Sequence, residues 1–321
     1  MLSFILATAF GLLALWWTAE RFVEGAVELA VHWRMPPLLI GMLIMGFGTS
    51  APELVVSLSA ALDGSSALAL GNAFGSNIAN IGLILGLTAV LSPIAVQSQI
   101  LRRELPVLLV VTVGLVWLMH DGALSRAESV CLLVVLLGLV GWSVWQARMG
   151  PDHLTEDVNL EMAQMASGGM SPLRSGIQVG YGLLGLIGSA QLLIWGGVGL
   201  AQAWGVSETV IGLTVVAVGT SLPELAASVA AVRKGEHDLA FGNVLGSNLF
   251  NTLGVVGVAG AVASIQIDPV LLQREVWVLL ALTASLFIIG YGWRKPMGRV
   301  NRVEGALLLV AYAVYVSVLV P

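Results

Sequence analysis

The chain repeats itself after 171 residues, and this internal repeat limits the possible folds more than any other feature. A shift of 171 positions superimposes residues 9–33 on 180–204 without a gap, and the match continues for most of each half. Near the C-terminus the shift grows to 176. The sequence therefore predicts two homologous halves, residues 1–146 and 174–321, joined by a polar linker at 147–173.

Each half is too apolar for a soluble domain. The chain is 57% hydrophobic and only 10% charged, with a mean hydropathy of +0.93. Its apolar segments are long enough to cross a bilayer as helices, whereas an outer-membrane barrel would show short alternating segments. The sequence thus predicts an all-α integral membrane protein with ten transmembrane helices, at approximately 3–31, 36–61, 67–91, 105–119, 125–146, 174–203, 207–232, 239–263, 274–292 and 303–320.

An odd number of spans in each half places the two halves in opposite orientations, as two inverted five-helix repeats. Charge supports this count, because eleven of the fourteen lysines and arginines then fall on one side of the membrane. The positive-inside rule makes that side cytoplasmic. We therefore expect a multi-pass protein of the cell (inner) membrane, with a cytoplasmic linker and both termini outside. The sequence has no basic patch for nucleic acid.

Two copies of one motif, GTSAPE and GTSLPE, place an acid and a proline inside apolar sequence. The acids are Glu53 and Glu224, and Pro52 and Pro223 precede them. A proline deprives the carbonyl four residues earlier of its donor, and lipid cannot replace it, so such breaks lie beside protein or a wet cavity. Carboxylate, carbonyl and hydroxyl oxygens form a hard ligand set, which suits calcium or sodium better than zinc or copper.

A second motif follows each acid, as GNAFGSNIAN and GNVLGSNLFN. Its serine and its last asparagine are four residues apart and share a helix face. The motif glycines, Gly71, Gly75, Gly242 and Gly246, allow close helix approach. These polar residues could simply join helices by hydrogen bonds. Two buried carboxylates, however, need a cationic partner, and this favours an ion site over structural bonding.

These doubled motifs resemble the two α-repeats of the calcium/cation antiporter superfamily, and the whole chain is similar to the compact prokaryotic sodium/calcium exchangers. The resemblance implies ten helices, of which helices 2, 3, 7 and 8 form a central core. Helices 1 and 6 would slide as a gate. It also implies four cation sites at mid-membrane, with Ca²⁺ and Na⁺ as transported ions and no cofactor.

The resemblance also assigns roles to individual positions. Glu53 and Glu224 would be the central acids, shared between calcium and sodium. The other ligands would be the backbone carbonyls of Thr49 and Thr220, the side chains of Ser50, Ser221, Ser76 and Ser247, the amides of Asn80 and Asn251, and the carbonyls of Gly46 and Ala217.

One position departs from several relatives, which have aspartate where this chain has Asn251. With two central carboxylates, the site matches one Ca²⁺ or two Na⁺ in charge, and this argues against potassium dependence. The expected function is Na⁺/Ca²⁺ antiport by alternating access. Buried carboxylates can also carry protons, so H⁺/Ca²⁺ exchange is the alternative, and a cation channel is a more distant one. No nucleophile–base pair indicates an enzyme, and no partner protein is evident.

The first predicted helix carries three acids at four-residue spacing, Glu20, Glu24 and Glu28, with Arg21 among them. This spacing indicates a polar stripe near the cytoplasmic end or against a neighbouring helix. A role in ion access is the alternative.

Overall fold

A computed structural model describes residues 1–33, 35–148, 170–205, 217–267, 274–289 and 297–319. Most of the predicted linker, and the first part of the seventh predicted helix, lie outside these described residues.

Helices make up most of the described chain. Two helices, Pro37–Thr49 and Ala51–Leu62, are bent by 44° at a break at Ser50. The helix that begins at Ser66 runs to Leu91 and contains a π turn, Asn80–Leu85. The helices are α1 (Leu2–Trp33), α2 (Pro37–Thr49), α3 (Ala51–Leu62), α4 (66–91), α5 (Ser98–Leu118), α6 (Arg126–Arg148), α7 (Pro172–Ala203), α8 (Ala217–Thr220), α9 (Leu222–Arg233), α10 (His237–Val262), α11 (Glu275–Ile289) and α12 (Arg302–Leu319).

Five of these helices are long and apolar enough to cross a membrane, and a sixth crossing results if α2 and α3 count as one bent span. All ten predicted segments coincide with helix over most of their described residues, apart from the breaks at Ser50 and Ser221 and single residues at some ends. The largest difference in bounds is in α5, which begins at Ser98, seven residues before the predicted start.

Four short strands also occur, although the sequence analysis predicts helices alone. β1 (Ile94–Gln97) pairs with β4 (Met297–Val300), and β2 (Ala123–Leu124) pairs with β3 (Ile265–Gln266), both antiparallel. These strand pairs provide hydrogen-bond partners for the backbone N–H and C=O groups of the segments between helices.

The two strand pairs are images of each other under the internal repeat. Ala95 faces Arg299, and Ala123 faces Gln266. The shift of 171 carries Ala95 to Gln266, and the shift of 176 carries Ala123 to Arg299. The same pairing register is thus built twice, once from each half.

The two halves exchange their last helices. α6 packs on the C-terminal part of α10, where a Cβ added to Gly257 would lie 2.9 Å from Leu133 Cγ. Likewise α12 packs on the C-terminal part of α4, where a Cβ on Gly86 would lie 3.1 Å from Leu309 Cγ. Because each half covers a helix of the other half, the halves form one packed unit.

The closest helix crossing brings α2 against α10. A Cβ on Gly41 would lie 3.1 Å from Gly242 Cα, and one on Gly46 would lie 2.7 Å from the carbonyl carbon of Gly246. These glycines allow backbone to touch backbone, as predicted for Gly242 and Gly246. The equivalent Gly71 and Gly75 have no described atom within 4 Å of such a Cβ. Their expected partners, residues 212–217, lie almost entirely outside the described residues.

The two longest helices, α1 and α7, lie side by side next to this core, again through glycine contacts. A Cβ on Gly25 would lie 2.9 Å from the Val179 nitrogen, and one on Gly182 would lie 2.8 Å from Phe22 Cα. α1 also packs along α9, whereas the equivalent pair, α7 and α3, makes no comparable contact in the described chain. The placement of α1 and α7 is therefore not symmetric.

We predict that Gly246→Ala destabilises the protein by about 2 kcal/mol, because overpacking a close contact costs this much. The new methyl would lie 2.5 Å from Met42 Cα, which is backbone and cannot rotate away. The melting temperature in detergent checks this. Gly138→Ala is the control, because no described atom lies within 4 Å of a Cβ there. Equal melting of the two variants would contradict the prediction.

Candidate cation-binding site

The site is built on two helix breaks that have the same backbone geometry. Ser50 separates α2 from α3 with φ −81° and ψ 7°, and Ser221 separates α8 from α9 with φ −89° and ψ 8°. Pro52 and Pro223 lie in the first turn after each break, where the missing N–H costs nothing. The Ser50 N–H donates to the Gly46 carbonyl at 3.3 Å, so the helical hydrogen-bond pattern of α2 continues up to the break.

Each break places an acid in the first turn of a new helix. Glu53 and Glu224 are 0% and 1% exposed, and both lie where the helix dipole favours negative charge. Each acid accepts a hydrogen bond from the serine of the opposite half: Ser50 Oγ donates to Glu224 Oε1 at 3.1 Å, and Ser221 Oγ donates to Glu53 Oε1 at 3.5 Å. These two hydrogen bonds, each between opposite halves, bring the two carboxylates close to each other.

The second oxygen of each carboxylate has no hydrogen-bond donor in the described part of the chain. These atoms are Glu53 Oε2 and Glu224 Oε2, and both are buried. No lysine, arginine or histidine forms an ion pair with either acid among the described residues. Two carboxyl groups, each with an oxygen that has unused lone pairs, are therefore held side by side in the core.

The C-terminal ends of α2 and α8 bring backbone carbonyls to the same region. The Gly46 carbonyl accepts a hydrogen bond from Ser247 Oγ at 3.3 Å. Thr49 donates its own hydroxyl back to the Met45 carbonyl at 2.8 Å. Thr220 is buried at the end of α8, and Ala217 is the first described residue of that helix.

The serine and asparagine motifs on α4 and α10 complete the site. Ser76 Oγ donates to Glu53 Oε1 at 3.5 Å. Asn80 Nδ2 donates to Asn248 Oδ1 at 3.0 Å, and this leaves Asn80 Oδ1 without a partner among the described residues. Neither polar atom of the Asn251 side chain has one. A π turn begins at each of Asn80 and Asn251, as often occurs at functional sites.

The two halves differ in how they hold their remaining amides. Asn77 Nδ2 donates to Thr252 Oγ1 at 2.9 Å. The equivalent amide, Asn248 Nδ2, has no described partner, because the shift of 171 places apolar Ile81 where Thr252 stands in the other half.

Two asparagines that the sequence analysis did not select contact the acids through the backbone. Asn72 Nδ2 donates to the Glu53 carbonyl at 3.0 Å, and Asn243 Nδ2 donates to the Glu224 carbonyl at 3.1 Å. Their place in the doubled motifs could have identified them. Each directly follows the first glycine of its motif, GNAFGSNIAN or GNVLGSNLFN, and the two asparagines lie 171 residues apart.

The acidic stripe of α1 lies apart from these oxygens. Glu24 forms ion pairs with Arg21 at 2.8 Å and with Lys234 at 2.9 Å, and it accepts a hydrogen bond from Gln178 at 3.0 Å. Glu28 is buried, and Glu20 is half-buried. The ion pairs match the predicted contact with neighbouring helices, because Glu24 joins α1 to α7 and to the end of α9.

Together the described atoms form a cluster of hard oxygens with a charge of −2 if both acids are ionised. The glutamate, serine, threonine and asparagine side chains named for it are all buried. Such a cluster can bind a cation that prefers oxygen, because burial without one would cost several kcal/mol per charge.

Comparison with known proteins agrees with this chemistry. The family model "Sodium/calcium exchanger protein" matches residues 3–145 and 175–320. CaxA of Alkalimonas amylolytica, a candidate antiporter by its name, is 42% identical over 97% of this chain and 98% of its own. The inner membrane protein YrbG of Escherichia coli (strain K12) is 38% identical over 98% of this chain and 97% of its own.

Solved structures agree as well. The sodium-calcium exchanger NCX_Mj, in crystals soaked with Na⁺ and Sr²⁺, superimposes with a TM-score of 0.84 at 29% identity, over 99% of this chain and 98% of that one. The fold, the doubled motifs and the family match thus agree over both halves of the chain. The chain is a multi-pass membrane transport protein that belongs to the sodium/calcium exchanger family.

Proposed function

We propose that this protein exchanges Na⁺ for Ca²⁺ by alternating access at the oxygen cluster between the two helix breaks. One observation carries the proposal: Glu53 and Glu224 are fully buried, hydrogen-bonded to each other's serines, and each keeps an oxygen without a donor among the described residues. A carboxylate pair of this kind is stable in a membrane when a cation neutralises it.

Charge explains why two different ions would compete for the site. Two carboxylates balance one Ca²⁺ or two Na⁺, so calcium at the shared oxygens excludes sodium from them. Each ion must leave before the other binds, and this competition produces exchange. A third Na⁺ would add a net positive charge, and by analogy with the family we propose three Na⁺ for each Ca²⁺.

The proposed ligands are the residues that the motifs predict. Glu53, Glu224 and the amide oxygens of Asn80 and Asn251 would surround the central ion, because all four side chains have oxygens free of donors in the described chain. The flanking sodium sites would use the remaining predicted ligands: the side chains of Ser50, Ser76, Ser221 and Ser247 and the carbonyls of Gly46, Thr49, Ala217 and Thr220. Helix C-termini attract cations, and this suits α2 and α8 to that role.

We further propose that the chain forms ten transmembrane helices as two inverted repeats. The strand pairs support this, because β1 and β4 must lie at one face of the membrane and β2 and β3 at the other if every helical run crosses it. The duplicated pairing register and the exchanged last helices fit a two-fold axis in the membrane plane. The repeats would be residues 1–146 and 174–321, with 147–173 as a cytoplasmic linker.

Orientation follows from charge. The face with β4, Lys234 and the linker carries most of the lysines and arginines, so it would be the cytoplasmic side of the cell (inner) membrane. Both termini would then lie outside.

The gate would consist of α1 and α7. α1 packs along α9, and Glu24 pairs with Lys234 just beyond the end of α9. Arg233 also lies over the ring of Trp16, at 4.0 Å from its centre. These contacts join α1 to the Lys234 end of α9, whereas the equivalent α7 and α3 make no comparable contact in the described chain. They support a described conformation that is closed at the Lys234 end, which is the cytoplasmic side in the proposed orientation.

We predict that Glu53→Gln and Glu224→Gln each lower the initial rate of exchange roughly a hundredfold, because each removes a buried charge worth about 3 kcal/mol to the bound ion. The assay is ⁴⁵Ca²⁺ uptake into Na⁺-loaded proteoliposomes. Glu128→Gln is the matched control, since Glu128 only caps α6 through Ser125 at an exposed end.

Unchanged uptake in both site variants would refute the proposed site. Wild-type uptake that follows a pH gradient and ignores sodium would instead identify the protein as an H⁺/Ca²⁺ exchanger.

We also predict that Asn251→Asp lowers the Ca²⁺ concentration for half-maximal uptake by at least about tenfold. An added carboxylate attracts a divalent ion about twice as strongly as Na⁺ at the same distance. The side chain is fully buried and its amide has no described partner to lose. Uptake at alkaline pH over a Ca²⁺ series measures this, with Asn301→Asp in the loop before α12 as the control. A higher half-maximal concentration in Asn251→Asp would contradict the prediction.

A further inference from the structure

Each ligand acid is attached to the next helix by one asparagine side chain. Asn72 Nδ2 donates both to the Glu53 carbonyl at 3.0 Å and to Ser57 Oγ at 2.9 Å. Ser57 Oγ in turn donates to the Ala69 carbonyl on α4 at 3.2 Å. Both amide hydrogens of Asn72 are therefore used to join α3 to α4, and one of them acts on the backbone of the ligand residue itself.

The second half repeats this arrangement. Asn243 Nδ2 donates to the Glu224 carbonyl at 3.1 Å and to Ser228 Oγ at 2.9 Å. The shift of 171 carries Asn72 to Asn243 and Ser57 to Ser228. Two identical bonds at both acids, with both serines fully buried, indicate a requirement of the site and not a local accident of packing.

Asn243 also contacts the other half. Its Oδ1 lies 3.3 Å from Thr49 Oγ1 and is the more distant of two acceptors that share the single hydroxyl proton of Thr49, the other being the Met45 carbonyl at 2.8 Å. Thr49 is the last residue of α2 before the break. One fully buried amide thus joins the end of α2, the backbone of Glu224 and the interior of α9. A displacement of either helix would be transmitted to the other through this side chain.

We propose that Asn72 and Asn243 are positioning residues, which hold the backbone of Glu53 and Glu224 so that both carboxylates reach one ion. This inference rests on the proposed function, since it assumes that the acids bind the transported cation. Each acid lies in the first turn after a helix break, where the backbone N–H groups have no partner within the helix and fewer bonds hold the turn. A bond from a neighbouring helix to the carbonyl of the acid adds a constraint on its backbone.

A positioning role for the two asparagines and a purely structural role predict different effects of their substitution. Loss of a group that orients a metal ligand weakens ion affinity about ten- to a hundredfold. Loss of a structural hydrogen bond lowers the melting temperature but leaves the affinity of the folded protein unchanged. The discriminating measurement is therefore the Ca²⁺ concentration for half-maximal uptake, determined beside the melting temperature and the maximal rate.

The test uses Asn72→Ala and Asn243→Ala in the full-length protein in proteoliposomes. We expect the half-maximal Ca²⁺ concentration to rise at least about tenfold in both, and more in Asn243→Ala, which also loses the bond to Thr49. Asn301→Ala is the matched control, because Asn301 Oδ1 only caps the first turn of α12. It should lower the melting temperature without changing the half-maximal concentration.

Half-maximal concentrations within twofold of the wild type in both site variants would overturn the inference. If Asn243→Ala does not fold, Asn72→Ala decides the question, since Asn72 is only half-buried. Ca²⁺-dependent stabilisation of the purified wild type in detergent separates the two proposals. Its absence, with no uptake, would count against the proposed function, whereas its presence with unchanged variants would count against positioning alone.

Discussion

Two buried carboxylates control the rest of this structure. Glu53 and Glu224 lie in the interior of a protein whose helices are apolar enough for a membrane, where an uncompensated charge costs several kcal/mol. The surrounding features reduce that cost. Each acid begins a helix whose dipole favours negative charge, and each accepts a hydrogen bond from the opposite half. A bound cation would balance the charge that remains. The burial of two carboxylates, which is costly for the fold, is therefore also the feature on which the proposed transport depends.

The helix breaks and the glycine contacts serve the same purpose. A continuous α-helix would bury its carbonyls in its own hydrogen bonds, whereas a break at Ser50 exposes carbonyls at the end of α2 and N–H groups at the start of α3. The Gly46 and Gly246 contact then brings the end of α2 against α10, so that Ser247 reaches the Gly46 carbonyl. A side chain at either glycine would separate these oxygens. Close packing is therefore a condition for the site as well as for the fold.

The sequence predicts much of this arrangement because the repeat and the apolar segments are strong signals. The helical segments, the breaks at the prolines and the pairing of the two motifs all follow from residue type and spacing. The strands, the π turns and the Asn72 and Asn243 contacts do not, because they depend on which helices become neighbours. The sequence also does not predict the difference in side-chain hydrogen bonding between the two halves. Thr252 has a hydroxyl and Ile81 does not, yet only the structure shows that the Asn77 amide uses this hydroxyl and that the Asn248 amide has no described partner.

The ion pair at the proposed gate is a weak interaction. Glu24 and Lys234 form an ion pair at one end of the molecule. In the internal repeat, Trp195 is equivalent to Glu24, and Asp63 is equivalent to Lys234. These two residues cannot form an ion pair at the other end. The sequence therefore biases the proposed alternating equilibrium toward the closed Lys234 end. Both side chains are about 31% exposed, and such pairs contribute about 1 kcal/mol or less. That energy changes a population ratio about fivefold. A bias of this size favours one state while still leaving the other accessible, whereas a buried pair worth several kcal/mol would hold the gate shut and stop exchange.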